Sequence, residues 1–215
     1  MRQTLEQILQ DIGGYVDQEV TTPTGSDLTS RKAYVNRALI EWADVYDWEQ
    51  LNQTYTFNIS YASTVSLSLP TNFKKPMSAL YEYNSTTPTE YEIVSKDDRF
   101  SLSPSDNYCY LSGDPADGHV LIVPKGLASG ASVVMDIQAY PSSYATLTDY
   151  SQIPNTDYLV QRAISLVLEA RGDARFPIAR AEADRILANM IEVQNAKNLG
   201  MNNRIPMPTS YVIGE

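Results

Sequence analysis

The feature that most constrains this fold is the order in which two hydrophobic periodicities follow one another. Apolar side chains recur every three or four positions over residues 4–46, alternate every second position in much of residues 53–140, and return to the first spacing over residues 155–197. The first spacing is typical of one helix face and the second of a half-buried strand. The chain therefore leaves helix, builds a sheet and returns to helix.

This order predicts an α+β protein. We expect a helical bundle body formed by the N-terminal and C-terminal helices, residues 1–50 and 151–198, with an antiparallel β-sandwich or barrel domain inserted at residues 51–150. Residues 199–215 are expected to form an extended C-terminal tail, because Pro206 and Pro208 oppose a helix.

The N-terminal body is predicted to hold two helices. The first covers residues 4–20, with Thr4 and Gln7 as a capping box and a break at residues 13–14, where two glycines meet. The second begins at Ser26 or Asp27 and runs to about residue 46. Its buried stripe is predicted to be Val35, Ala38, Leu39, Trp42, Val45 and Tyr46.

The C-terminal body is predicted to hold two more helices. One is capped by Asn155 or Thr156 and ends at residues 172–173, and the other runs from about Phe176 to Lys197. The predicted structural core of the whole body includes Trp42, Tyr46, Leu166 and Ile186.

Between these bodies, the alternation predicts seven short strands. Residues 53–61 and 65–69 are predicted to pair as a hairpin with a turn near residues 62–63. The other predicted strands are 77–83, 89–94, 107–111, 119–123 and 132–140, with one helical turn at 96–101.

Charge argues against a protein that grips nucleic acid. The net charge of the 215 residues is −10, and residues 1–155 carry 9 Lys and Arg against 19 Asp and Glu, whereas residues 156–215 carry 7 of each. Affinity for phosphate comes from Lys and Arg that neutralise it. The sequence shows no apolar run of membrane-spanning length and no secretory pattern at its start, so we expect a protein used in solution, with no membrane partner.

A search for chemistry predicts no catalytic residue, no cofactor site and no metal site. His119 is the single histidine and Cys109 the single cysteine, which leaves too few ligands for a structural zinc ion. Cys109 is interpreted as a small sheet or core residue, and residues 113–118 as a tight turn and not a calcium loop. No glycine-rich phosphate loop occurs, although a carboxylate pair of glycosidase type stays open because such pairs form only in the fold.

Several local phrases, in this order, resemble the head-to-tail connector (adaptor) proteins of tailed bacteriophages. They are the helix from Asn36-Arg37-Ala38 to Tyr46-Asp47-Trp48, the turn Leu69-Pro70-Thr71-Asn72-Phe73, Ile153-Pro154 before a helix that ends at Arg171-Gly172-Asp173, and the last helix with Ala179, Ala181 and Ala183. Together they cover residues 28–197.

The resemblance implies a structural virion protein at the neck, made in the host cytoplasm, without catalysis. Its subunits would form a homo-oligomeric ring, expected to be a dodecamer, that docks under the portal protein, extends the DNA channel without binding DNA specifically, and offers a surface to tail or further neck proteins. By the same resemblance the tail would bind the portal or a neighbouring subunit through Ile205, Met207, Tyr211, Val212 and Ile213. The alternative reading is a β-sandwich module that binds carbohydrate or a receptor on a phage tail or cell surface; a hydrolase ranks third.

Overall fold

A computed structural model describes residues 2–59, 66–83, 87–114 and 118–202, and over these residues the protein is mixed α+β. The chain divides into two compact units. The helical unit comprises residues 1–46 and 143–215, and the β unit comprises residues 47–142. The sheet is thus formed by one continuous segment that interrupts the helical unit in sequence.

In its described part the helical unit contains four α-helices. They are α1 (Leu5–Val16), α2 (Gly25–Val45), α3 (Thr156–Ala170) and α4 (Phe176–Asn202). Helix α3 packs against each of the other three, and most of its residues are buried. The apolar side chains of α3 therefore form the centre of this unit.

Local signals set most of the helix ends. The capping box is confirmed, since the Thr4 hydroxyl accepts from the Gln7 amide nitrogen at 3.3 Å and the Gln7 side chain accepts from the Thr4 amide nitrogen at 3.0 Å. Asn155 caps α3, and Gly172, with φ +66°, ends it in a Schellman motif in which the Asp173 amide donates to the Leu168 carbonyl at 2.9 Å.

Three details of the helices differ from the predictions. Helix α1 does not break at Gly13; a side chain there would meet the Glu19 carbonyl oxygen at 2.7 Å, so the glycine allows the chain to turn back closely after the helix. Thr24, not Ser26 or Asp27, is the N-cap residue of α2. Helix α4 continues to Asn202, which overturns the prediction that regular structure ends before residue 199.

The described part of the β unit contains eight strands, one more than predicted. They are β1 (Asn52–Asn58), β2 (Ser66–Ser68), β3 (Phe73–Pro76), β4 (Leu80–Tyr83), β5 (Thr89–Val94), β6 (Tyr108–Asp114), β7 (Gly118–Ile122) and β8 (Ser132–Ala139). Two 3₁₀ turns lie at Glu49–Leu51 and Asp98–Ser101. The strands form one large, nearly closed, barrel-like sheet in the order β1-β8-β4-β5-β6-β7-β2, with β3 also paired to β8.

The predicted hairpin between residues 53–61 and 65–69 is wrong. Strand β1 pairs with β8 and β2 pairs with β7, at opposite ends of the strand order. Alternation in a sequence determines which side chains share a face, but it does not identify the strand that lies alongside.

The prediction of a purely antiparallel sheet is also wrong, because β5 and β6 run parallel, with Ile93 opposite Cys109. Parallel neighbours need a crossover connection of about a dozen residues. The segment 95–107, which includes the second 3₁₀ turn, supplies that connection.

Inward-facing side chains of the sheet form the core of the β unit. Tyr91 and Cys109 lie in it, and Trp48 is buried in the same unit. The largest apolar contributions come from Phe57, Phe73, Leu80, Leu121, Val133, Met135 and Ile137.

Candidate functional site

Among the described residues, the single histidine and the single cysteine lie on adjacent strands but are not opposite one another. His119 lies on β7, half-buried, with its ring edge-on to Phe73 at a centroid distance of 5.4 Å. Cys109 is fully buried in the sheet, as predicted, and burial raises the pKa of its thiol to about 12, so the reactive thiolate is scarce at neutral pH. Among the described residues, no three His, Cys, Asp or Glu side chains are grouped so that they could hold a metal ion.

One buried carboxylate was missed by the sequence analysis. Glu82 on β4 is nearly inaccessible and accepts two hydrogen bonds, from the Tyr91 hydroxyl at 2.7 Å and from the Ala128 amide nitrogen at 2.6 Å. Burial, with the neighbouring Glu82, raises the pKa of Tyr91. The sequence did contain an indication of this burial. Glu82 stands two positions after Leu80 in the strand, so both side chains lie on the inner face. The two hydrogen bonds of Glu82 fasten the loop after β7, which contains Ala128, to the β4–β5 hairpin, which contains Tyr91.

A network of ions joins three segments of the helical unit. The Arg31 guanidinium, only 6 % exposed, contacts the Asp17 carboxylate and lies 3.2 Å from Asp27. Asp17 also accepts from Arg171 at 2.6 Å. Burial of Asp17 opposes its ionisation, but the two arginines outweigh it and hold the pKa of this carboxyl below its usual range. The network therefore ties the end of α1 to α2 and to the end of α3.

A second ion pair joins α2 to α3. Glu41 accepts from Arg162 at 2.6 Å and from Arg37 at 2.9 Å. Burial alone would raise the pKa of Glu41, but hydrogen bonding and charge from Arg162 and Arg37 lower it. Both sets of ion pairs lie within the helical unit, where they link α1, α2 and α3.

The described helical unit contains a groove with walls of α1 and α4 and a floor of α3. Its middle section has a volume of about 440 Å³ and is lined by Tyr15 of α1, by Val160, Gln161 and Ile164 of α3, and by Asn189 of α4, among others. A cavity of about 520 Å³ continues it past Asp11 and Asp157. Another, of about 620 Å³, continues it past Tyr15 and Arg185 towards Ile178.

The groove combines an apolar floor with polar walls. Val160 and Ile164 supply the floor and Ile186 the base of the α4 wall, and each is nearly inaccessible to solvent. Carboxamide groups of Gln7, Gln10, Asn155, Gln161 and Asn189 line it along its length, and Arg185 is paired with Glu182 at 2.6 Å. At its edges Tyr15 and Tyr150 are exposed, and Ile178 is 70 % exposed.

The fold places the residues singled out from the sequence in different surroundings. Trp42, Leu166 and Ile186 are buried, whereas Tyr46 is only half-buried because its hydroxyl reaches outward to donate to Asn195 at 2.6 Å. Val45 is 52 % exposed, so its predicted place in the buried stripe is wrong. The tail residues Ile205, Met207, Tyr211, Val212 and Ile213 lie outside the described residues.

Comparison with known proteins gives no family assignment. No protein-family profile matches the sequence, and no curated protein matches it significantly. None of the helices in the described ranges is long and apolar enough to cross a membrane.

Proposed function

We propose that this chain is a head-to-tail connector (adaptor) protein of a tailed bacteriophage. Copies of it form a ring, expected to be a dodecamer, that docks under the portal protein, extends the DNA channel and receives the tail or further neck proteins. The protein acts mechanically and not as an enzyme, within the neck of the virion. The four described helices would form the bundle body into whose sequence the β domain is inserted.

The observation that supports this proposal most directly is the insertion of the β unit. All eight described strands lie within residues 47–142, and the helical unit resumes at residue 143. This is the order of parts on which the resemblance to connector proteins rests. Fold-level likeness is an argument by analogy. The measurement that tests the function is therefore whether the protein assembles into rings.

Electron microscopy of negatively stained particles tests the proposal. The purified protein, alone or mixed with its portal protein, should form rings of uniform diameter with a central channel. Particles that remain monomeric under both conditions would contradict it.

The acidic excess of residues 1–155 suits a channel through which DNA slides. A wall of carboxylates repels phosphate and prevents DNA from sticking, whereas a basic wall would retain it. We expect several of these acids to face the lumen of the ring. The isolated protein should accordingly form no stable duplex complex at physiological salt in a gel-shift assay, and tight binding there would count against the channel role.

The tail gives an assembly contact of the proposal, with the portal or with a neighbouring subunit. Residues 203–215 contain Tyr211 and Ile213, the expected anchors in a groove of the portal or of a neighbouring subunit. Because α4 extends to Asn202, deletion should begin at residue 203 to leave the helix intact. The shortened chain should fold but fail to join the portal; undiminished assembly would overturn this role of the tail.

The second candidate function, a carbohydrate- or receptor-binding module, is favoured by the aromatic residues that the β unit exposes. Phe100 is 78 % exposed and Tyr83 48 %. Exposed aromatic rings are common at binding surfaces. A glycan array probed with the labelled protein separates the two candidates, since a connector should bind none of the glycans.

A further inference from the structure

The groove between α1 and α4 has the chemistry of a site for an extended peptide. An extended segment carries backbone N–H and C=O groups that need partners, and a carboxamide can donate to one and accept from the other. Gln161 and Asn189 face the middle of the groove, and the described residues offer their amide groups no hydrogen-bond partner. The apolar side chains exposed at the edges of the groove, Tyr15 and Ile178, can bury side chains of the same segment.

Residues 203–215 of this chain have the composition of such a segment. Their 13 residues include only two charged side chains, Arg204 and Glu215, and five large apolar ones, Ile205, Met207, Tyr211, Val212 and Ile213. Pro206 and Pro208 favour an extended backbone for themselves and for the residue before each. An extended segment of this length spans about 43 Å, more than the roughly 17 Å of α4 between Ile178 and Asn189.

Helix α4 carries the start of this segment beyond the groove. Helix α4 continues 13 residues beyond Asn189, about 20 Å, before residue 203. Residues 205–208 favour extended backbone, so the chain could reverse towards its own groove only at residues 203–204 or 209–210. A neighbouring copy can receive the segment without this reversal.

We infer that the groove lined by α1, α3 and α4 binds residues 203–215 of a neighbouring copy. This assignment rests on the proposed ring and names the surface that links one subunit to the next. Tyr211, Val212 and Ile213 pack on the exposed Tyr15 and Ile178, and the amides of Gln161 and Asn189 hydrogen-bond to the extended backbone.

Cysteine cross-linking between two variants tests this contact. Cys109 is buried, so an added surface cysteine is the reactive thiol. Asn189→Cys, carrying a size tag, is co-expressed with Ser210→Cys, and the mixture is mildly oxidised and run on a non-reducing gel. Because each chain carries a single added cysteine, a mixed disulfide reports only contacts between chains.

The matched control replaces Asn189→Cys by Ala188→Cys, on the adjacent exposed residue, which is not among the lining residues of the groove. Proximity should give the Asn189 pair about tenfold more mixed disulfide than the control pair. Filling the groove with Gln161→Trp should abolish this excess. Equal yields from the two pairs, or an excess that survives Gln161→Trp, would overturn the groove assignment.

Electron microscopy of the same samples separates this inference from the proposed function. Rings with equal disulfide yields would refute the groove contact while leaving the connector role intact. Absence of rings with the portal protein would refute the connector role itself.

Discussion

Replacing Asp17 by asparagine removes the carboxylate shared by Arg31 and Arg171 and keeps the size of the side chain. Removal of one partner from a fully buried ion pair costs about 3–5 kcal/mol, whereas an exposed pair contributes at most about 1 kcal/mol. Arg31 is 6 % exposed but Asp17 is 29 % exposed, and Asp27 remains 3.2 Å from Arg31. We therefore expect the free energy of unfolding to fall by about 2 kcal/mol, between these limits.

Thermal unfolding followed by far-ultraviolet circular dichroism measures this loss through the helices. For a chain of this length, a loss of about 2 kcal/mol lowers the melting temperature by about 4–8 °C. Glu192→Gln, which neutralises an exposed acid of α4, is the matched control and should melt like the wild type.

The pH dependence of the loss distinguishes an ionic cause from a steric one. The folded-state pKa of Asp17 is lowered, so its contribution is fully present above the unfolded pKa of about 4 and is lost as the pH falls through the folded pKa. The difference between wild type and Asp17→Asn should accordingly shrink as the pH is lowered from 7 to about 3. A deficit of the same size at both ends of this range, or no deficit at pH 7, would refute the reasoning.

Three further predictions concern the two cores. Leu166→Asp or Ile186→Asp places an unpaired charge in the core of the helical unit and should lower the free energy of unfolding by on the order of 4–5 kcal/mol. Such a variant should be recovered as insoluble protein. An unchanged melting temperature would mean that these residues are not in the core. Glu82→Gln leaves one of its two donors without an acceptor and should lower the free energy of unfolding by about 1–3 kcal/mol in a denaturant titration, and equal stability would show that these hydrogen bonds contribute nothing. Cys109 should not react with a thiol reagent at pH 8 until denaturant unfolds the chain, and rapid labelling of the native protein would contradict its burial.

Helix ends were predictable because their causes lie within a few residues. The capping box of Thr4 with Gln7, the cap at Asn155 and the stop at Gly172 each depend on hydrogen bonds between near neighbours in sequence. Strand β5, Thr89–Val94, has the predicted bounds for a related reason, since alternation is a property of the segment itself.

One part of the candidate site, the buried Arg31, has a position in the sequence whose meaning becomes clear only once the fold is known. Arg31 stands four residues before Val35 and seven before Ala38, so it shares their buried face. A buried charge needs an oppositely charged partner. The sequence alone does not show that Asp17 and Asp27 are those partners. The groove left no trace at all, because its walls are separated by more than a hundred residues.

The sequence by itself determined the order of helix, sheet and helix, and most helix ends, since these follow from periodicity and from contacts a few residues apart. Only the tertiary structure decided that β1 lies against β8, that β5 and β6 run parallel, and that α1 and α4 enclose a groove over α3. These are contacts between distant segments, and alternative partners present similar apolar faces. The choice among them depends on how the whole chain buries its side chains at once.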